Sequence, residues 1–178
     1  MKKKLSFIVV AILFALSAKA QETTYKIGDE SAELGGYVFY VDLTGKHGLV
    51  CPYIDQGELE WGCQDKGIRG ADKAGIYDGK QNTLDIITGC SSANTTAKIC
   101  NDLVLYGFDD WYLPSKYELE LMYINLHKKG LGNFAADWYW SSTEYDNNEA
   151  WAQSFSDGYQ LDDSKKSGIG RVCAVRAF

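Results

Sequence analysis

The apolar pattern along the chain predicts strands at both ends and helices between them. Residues 37–42 are β-branched or aromatic, and a short turn at 44–46 joins them to the apolar residues 48–53, which predicts a β-hairpin. Late in the chain, Gly and Asn/Asp turns separate four further strand-like runs, at 138–142, 150–155, 159–161 and 171–178. Because strands at both ends enclose helical segments, we expect an α+β domain whose terminal strands pair.

Two helices are predicted in the middle of the chain. Residues 82–88 are expected to form a short helix capped by Asn82 and ended by Gly89, and residues 95–106 a longer helix. The preceding segment, 55–79, is rich in Gly, Asp and Lys and has no sustained period, so we expect a long loop there.

The clearest local signal is the pair Ser115 and Glu118, which follows Pro114. In such a capping box each side chain satisfies a backbone N–H at the start of a helix. The apolar residues after it recur at helical spacing and should face the core: Leu119, Met122, Tyr123 and Leu126.

The first twenty residues have the pattern of a secretory signal peptide. Three lysines precede the apolar run 5–16, and Ala18 and Ala20 supply small residues before Gln21. The run is too short to cross a bilayer core of roughly 30 Å. We expect cleavage after Ala20, no membrane span in the mature chain, and a location in the periplasm, at the cell surface or in the medium.

The charge of the mature chain argues against nucleic acid as a partner. The whole chain carries 18 Lys and Arg and 24 Asp and Glu. Four of the lysines precede residue 21, so 14 basic residues against 24 acidic ones leave residues 21–178 a net charge of −10. Affinity for duplexes comes largely from neutralising phosphates, which this composition does not favour. With only two histidines, a His-rich metal site is excluded as well.

Five cysteines in an exported chain predict disulfides, with at most two bridges and one remaining thiol. Cys63, Cys90 and Cys100 lie in the turn-rich middle of the chain, whereas Cys51 and Cys173 lie in apolar runs and could be buried near each other. Spacing does not give the connectivity, and buried unpaired thiols are the alternative. A zinc site is a weaker alternative, because there is no Cys-x-x-Cys pair.

Ordered sequence blocks resemble the Lcl C-terminal domain family, also called DUF1566, over roughly residues 27–178. The blocks are residues 35–42, 47–50, 55–56, 61–63, 110–119, 139–144, 150–151 and 172–178. The resemblance implies a C-type-lectin-like fold, with two or three helices, a curled antiparallel sheet and paired terminal strands. It also implies adhesion at a bacterial cell surface, where the domain that names the family binds sulfated polysaccharide. Because a polyanion needs Lys and Arg, we expect a neutral glycan or a cell-surface protein instead.

Polar residues around two Trp-bearing strands form the candidate ligand site. Sugar sites offer an aromatic face to the ring and planar amides or carboxylates to its hydroxyls. The candidates are Asp146, Asn147, Asn148, Glu149, Tyr159, Asp162 and Asp163. Calcium could join such oxygen ligands, although the Glu-Pro-Asn and Trp-Asn-Asp signatures of calcium-dependent lectins are missing. An ordinary solvated hairpin is the alternative.

The sequence therefore predicts three regions: a signal peptide at 1–20, a polar lead-in at 21–33 and one domain at 34–178. We expect an exported, non-catalytic domain that binds a glycan or a protein. A structural or assembly scaffold is the alternative. A relative of the formylglycine-generating enzymes is less favoured, because Cys173 is the only late cysteine. Arg171 and Arg176 are expected to pair with acids.

Overall fold

The computed structural model describes residues 23–178. The predicted signal peptide and its cleavage site after Ala20 lie outside the described residues. In the part of the chain that is described, no helix is both long and apolar enough to cross a membrane.

The described residues form two sheets and three α-helices. The first sheet has the order β1-β2-β3-β9, with β1 at Glu30–Ser31, β2 at Gly36–Val41, β3 at Gly48–Cys51 and β9 at Arg176–Ala177. The second has the order β4-β8-β5-β6-β7, with β4 at Glu58–Glu60, β8 at Ile169–Arg171, β5 at Trp138–Glu144, β6 at Glu149–Ser154 and β7 at Gln160–Ser164. The helices are α1 at Asp78–Gly89, α2 at Thr96–Asn101 and α3 at Lys116–Asn125. The α+β class is confirmed.

The predicted hairpin and the pairing of the terminal strands are confirmed. Strands β2 and β3 pair antiparallel, and β3 also pairs with β9, with Leu49 opposite Ala177 and Val50 opposite Arg176. The first sheet thus joins the N-terminal hairpin to the end of the chain.

The prediction of one strand over 171–178 is wrong, because this run serves both sheets. Its start belongs to β8 and its end to β9, and Val175 between them bridges to Tyr112. Successive side chains of an extended segment point to opposite sides. Accordingly, Val172 and Ala174 enter one buried cluster, and Cys173 and Val175 enter the other.

Strand β5 separates the same two clusters. Trp138 and Trp140 pack on the cluster that contains Trp61 and Trp111, and Tyr139 packs in the other. The three residues thus alternate between the two clusters. Trp151, on the neighbouring strand, is only half-buried.

Helix α1 starts four residues before the predicted cap. Its N-cap is Tyr77, in the left-handed region at φ 67°, and no side chain caps it. Asn82 lies inside the helix, where its buried amide donates to the Lys73 carbonyl at 2.6 Å. The Tyr77 N–H instead donates to the Glu118 carboxylate at 2.6 Å, a contact between distant parts of the sequence.

Two other boundaries also differ from the prediction. Helix α2 is only six residues long, with Thr95 as its N-cap, and the chain then turns where Leu105 and Phe108 form an isolated bridge. The long loop over 55–79 contains β4, whose three residues pair with β8 and are too few to show a period.

The capping box at the start of α3 is confirmed. The Ser115 hydroxyl accepts from the Glu118 N–H, and the Glu118 carboxylate accepts from the Ser115 N–H at 2.8 Å. In the apolar stripe that follows, Leu119, Met122 and Leu126 are buried and Tyr123 is half-buried.

One disulfide is present, between Cys63 and Cys90. It fixes the loop after β4 to the C-cap of α1, as expected for the turn-rich middle of the chain. The other three cysteines, Cys51, Cys100 and Cys173, are buried thiols.

Burial of Glu118 makes the stability of the domain depend on pH. Burial raises the pKa of Glu118 to about 7, from a usual value of 4.5, although three donors oppose the shift. Between pH 4.5 and 7 the folded state therefore binds more protons than the unfolded state. The free energy of unfolding should fall as pH rises through this window, by at most about 3.5 kcal/mol, since one pKa unit corresponds to about 1.4 kcal/mol.

Glu118→Gln should remove this fall, which urea unfolding at several pH values would measure. The slope with pH is the test, because the amide also changes the cap and adds a constant offset. Glu60→Gln, at an exposed carboxylate, is the control and should keep the wild-type slope. Parallel pH profiles for wild type and Glu118→Gln would contradict this assignment.

Candidate functional site

The loop between β5 and β6 is a tight, internally bonded turn. The Asp146 carboxylate accepts from the backbone N–H of Asn148 at 2.7 Å and of Glu149 at 2.9 Å. Such a side chain-to-backbone turn is the usual role of Asp at this position. The Tyr145 N–H closes the hairpin by donating to the Glu149 carbonyl at 3.0 Å.

Strand β7 brings a further carboxylate beside this turn. Asp162 lies opposite Trp151 on the neighbouring strand, on the face that also carries Glu149. The pKa of Glu149 is raised, first by desolvation and then by the charge of Asp146 and by the charge and hydrogen bond of Asp162. Negative charge is thus concentrated at this end of the sheet.

Five of the seven predicted residues therefore come together: Asp146, Asn147, Asn148, Glu149 and Asp162. Together with Tyr145, these residues form the hairpin surface, which comprises residues 145–149 and Asp162. Asp163 adjoins it but is opposite Ala150, on the other face of the sheet.

Tyr159 does not belong to this group, and its predicted place there is wrong. Its carbonyl accepts from the Ser154 N–H at the opposite end of the β6–β7 pair. At a strand rise of about 3.3 Å per residue, it lies roughly 13 Å along the strand from Asp163.

The aromatic side chain available on the hairpin surface is Tyr145. It is 54% exposed and packs edge-on against Trp151, with ring centroids 5.5 Å apart. The Trp151 ring itself is covered by the Lys116 ammonium group. Of the two rings, Tyr145 is the one with free area for a ligand.

A buried lysine binds the backbone of the hairpin on its core side. The Lys165 side chain is 0% exposed, and its Nζ lies 2.5 Å from the Glu144 carboxylate. The same ammonium donates to the Asp146 carbonyl at 2.6 Å and the Lys66 carbonyl at 3.2 Å, and it lies over the Trp61 ring. All three N–H groups of the ammonium thus have acceptors.

The loop over 62–68 packs against the hairpin around this lysine. The Glu144 carboxylate accepts from the Ile68 N–H at 2.8 Å, and the Lys66 N–H donates to the Asn147 carbonyl at 3.2 Å. The Gln64 amide donates to the Asn148 side chain at 2.9 Å. The hairpin surface is therefore held by the fold rather than by its own turn alone.

The sequence pattern does not reveal that Lys165 and Glu144 support the site. Lys165 occupies a Ser-Lys-Lys-Ser-Gly turn, where exposed lysines are ordinary, and Glu144 is the last residue of a strand. The apolar and polar pattern marks neither as buried, because their pairing depends on contacts between distant segments.

Other charged groups have mainly structural partners. Arg171 pairs with Asp55 at 2.7 Å and Glu58 at 3.1 Å, and Arg176 pairs with Asp110 at 2.6 Å, which confirms both predicted ion pairs. Within residues 23–178, no group of three or more His, Cys, Asp or Glu side chains could hold a metal ion.

A separate cavity of about 230 Å³ lies away from the hairpin, between α1 and residues 109–112. It is bordered by Lys80, Asn101, Asp109 and Trp111, among others. The Trp111 indole N–H has no hydrogen-bond partner among the described residues, and it is buried out of contact with solvent. The cavity therefore does not present that donor to a ligand.

Breaking the buried ion pair should destabilise the domain strongly. Lys165→Met leaves the Glu144 carboxylate without a counter-charge, and removing one partner of a buried pair typically costs about 3–5 kcal/mol. The double variant Lys165→Met/Glu144→Gln should recover much of that loss, because the amide oxygen can still accept from Ile68.

Urea unfolding of the wild type, Lys165→Met, Glu144→Gln and the double variant measures the coupling energy between the two side chains. Lys166→Met, at the exposed neighbouring lysine, is the matched control and should stay close to wild type. A Lys165→Met variant within about 1 kcal/mol of wild type would be incompatible with the pair's structural role.

Comparison with known proteins places the chain in a family. A model of the Lcl C-terminal domain matches residues 55–176, more than half of the chain. The matched region includes β4 to β8, all three helices and the hairpin surface, whereas β1, β2 and β3 precede it. A search of curated proteins finds no match. The chain belongs to the Lcl C-terminal domain family.

Proposed function

We propose that this chain is an exported, non-catalytic recognition domain that binds a neutral glycan through the hairpin surface, in the manner of an adhesin. The observation that carries the proposal is the rigid placement of carboxylates and an exposed tyrosine at one end of the second sheet. Glu149 and Asp162 offer acceptors for sugar hydroxyls, and Tyr145 offers an apolar ring face.

Preorganisation supports this role. Ordering a loop on binding lowers affinity, so a loop that is already fixed retains more of its contact energy. The Asp146 side chain and the Lys165 ammonium fix the backbone of the hairpin before any ligand arrives. The Asp146 carboxylate accepts the turn's N–H groups, whereas the carboxylates of Glu149 and Asp162 lie side by side and share a hydrogen bond.

Charge narrows the class of partner. The hairpin surface contains three carboxylates and no basic residue, and the mature chain carries a net charge of −10. A sulfated polysaccharide would be repelled by this surface, whereas a neutral glycan would not. A protein that presents Lys or Arg is the second class of partner that the charge suits.

A C-type-lectin-like fold is part of the proposal. Its support is the α+β class, the three helices and the pairing of the terminal strands through β3 and β9. In this arrangement the loop over 62–68 and the hairpin surface lie together.

The absence of catalysis is likewise proposed on the roles of the reactive side chains. His127 stacks on Tyr123, with ring centroids 5.7 Å apart, and also contacts Phe155. Asp55 and Glu58, the acids nearest the start of the second sheet, are bound by Arg171. These groups have packing or ion-pair roles that account for their positions.

A glycan array with residues 21–178, run with calcium and with chelator, tests the proposal. We expect saturable binding to a neutral glycan. Tyr145→Ala and Asp162→Asn should each weaken it by roughly tenfold or more, a change of about 1.4 kcal/mol. Loss of binding with chelator would add calcium to the site.

The chain offers a matched control for each variant. Tyr159→Ala removes a similarly exposed tyrosine at the other end of β7, and Asp163→Asn removes the same charge on the other face. Both should bind like wild type, with all four variants checked for unchanged melting temperature. Equal losses in variants and controls would contradict the hairpin surface as the site. A blank array would favour a protein partner or an assembly scaffold.

A further inference from the structure

Two of the three buried thiols lie in one core cluster. Cys51 ends β3 and is 0% exposed, and Cys173, two residues after β8, is 2% exposed. Both pack in the cluster that contains Tyr139 and Phe155, whereas Cys100 packs in the other cluster.

The pairing of β3 with β9 brings these two cysteines together. With Val50 opposite Arg176, the next residue of β3 is Cys51, and the chain that leads into β9 contains Cys173. The same register places Cys51 beside Val175, and Cys173 lies on the same side of the last segment as Val175, in the same cluster. Closing a disulfide requires these two sulfurs to approach to about 2.05 Å.

We propose that Cys51 and Cys173 are the site of a second disulfide, formed while the chain folds under oxidising conditions. It would join β3 to the last segment of the chain, and the loop that it closes would include the Cys63–Cys90 bridge. Cys100 would then be the one remaining thiol of the five.

The oxidation is balanced by an external disulfide, either that of an exported thiol–disulfide oxidoreductase or glutathione disulfide. One cysteine thiolate attacks this disulfide and releases its first thiol, and the other cysteine then displaces the second. The two cysteines lose two protons and two electrons, and the external disulfide is reduced to two thiols. The location of the protein, which belongs to the proposed function, decides only which oxidant acts in the cell.

The burial of the two thiols determines when the disulfide can form. The pKa of the Cys173 thiol is raised by its hydrogen bond with Cys51 and by burial, so little reactive thiolate forms in the completed core. Exchange with an oxidant is therefore expected before the core closes. Once formed, the bond is shielded from reductants by the same packing.

Peptide mapping after refolding tests the proposal. Reduced and unfolded residues 21–178, which contain every described residue, are refolded in a glutathione redox buffer and then alkylated in denaturant without reductant. Trypsin leaves Cys51 and Cys63 in one peptide, because residues 47–65 contain no Lys or Arg. A Glu-specific protease, which cuts after Glu58 and Glu60, separates them.

We expect one cross-linked peptide that joins Cys51 to Cys173, a second that joins Cys63 to Cys90, and alkylation at Cys100 alone. Alkylation of both Cys51 and Cys173, or a link from either of them to Cys100, would overturn the proposal. This result does not depend on glycan binding, so the two proposals fail separately.

A variant pair supplies a second measurement. In Cys63→Ala/Cys90→Ala the second bridge would be the only disulfide, so reduction in denaturant followed by refolding with reductant should lower the melting temperature. Adding Cys51→Ala should abolish that difference. A melting temperature of Cys63→Ala/Cys90→Ala that reductant does not change would also overturn the proposal.

Discussion

The ion pair between Lys165 and Glu144 is the contact on which the arrangement of the loops depends. Removing two charges from water is unfavourable, and only close geometry with further hydrogen bonds offsets it. Here the ammonium is shared between the Glu144 carboxylate and two carbonyls, and the carboxylate also accepts from the Ile68 N–H. The loop over 62–68, the β5–β6 hairpin and the turn after β7 therefore meet at one buried charge.

This contact explains how a surface rich in carboxylates can be rigid. Desolvation raises the pKa of Glu149, and the neighbouring charges of Asp146 and Asp162 raise it further. The negative side chains of the hairpin therefore repel one another, and repulsion alone would open the turn. The buried Lys165 keeps the turn closed, because its ammonium donates to the Asp146 carbonyl and its backbone N–H donates to the Asn148 carbonyl. The ammonium is thus buried while the acids stay at the surface, where a neutral or basic partner can reach them.

The parts of the fold that were predicted correctly are those that local sequence determines. The first hairpin and the Ser115–Glu118 capping box need only neighbouring residues, and both are present. The start of α1 was misplaced because the Tyr77 N–H is satisfied by Glu118, far along the chain. The sequence predicts a single strand over 171–178 because its side chains alternate without interruption. Only the two buried clusters on its sides show that this segment serves two sheets. Likewise, the turn residues 146–149 are neighbours in sequence, whereas the distance of Tyr159 depends on the register of β7.

Amide hydrogen exchange in Lys165→Met tests most directly whether the buried charge organises these loops. The account predicts that protection falls at Gly62, Lys66 and Ile68, whose N–H groups donate to Lys165, Asn147 and Glu144 respectively. Protection at Leu126, whose N–H donates within the end of α3, should fall only by the loss in global stability, and so by less than at the three loop amides. Unchanged protection at the three loop amides, or an equal loss at all four, would contradict the account.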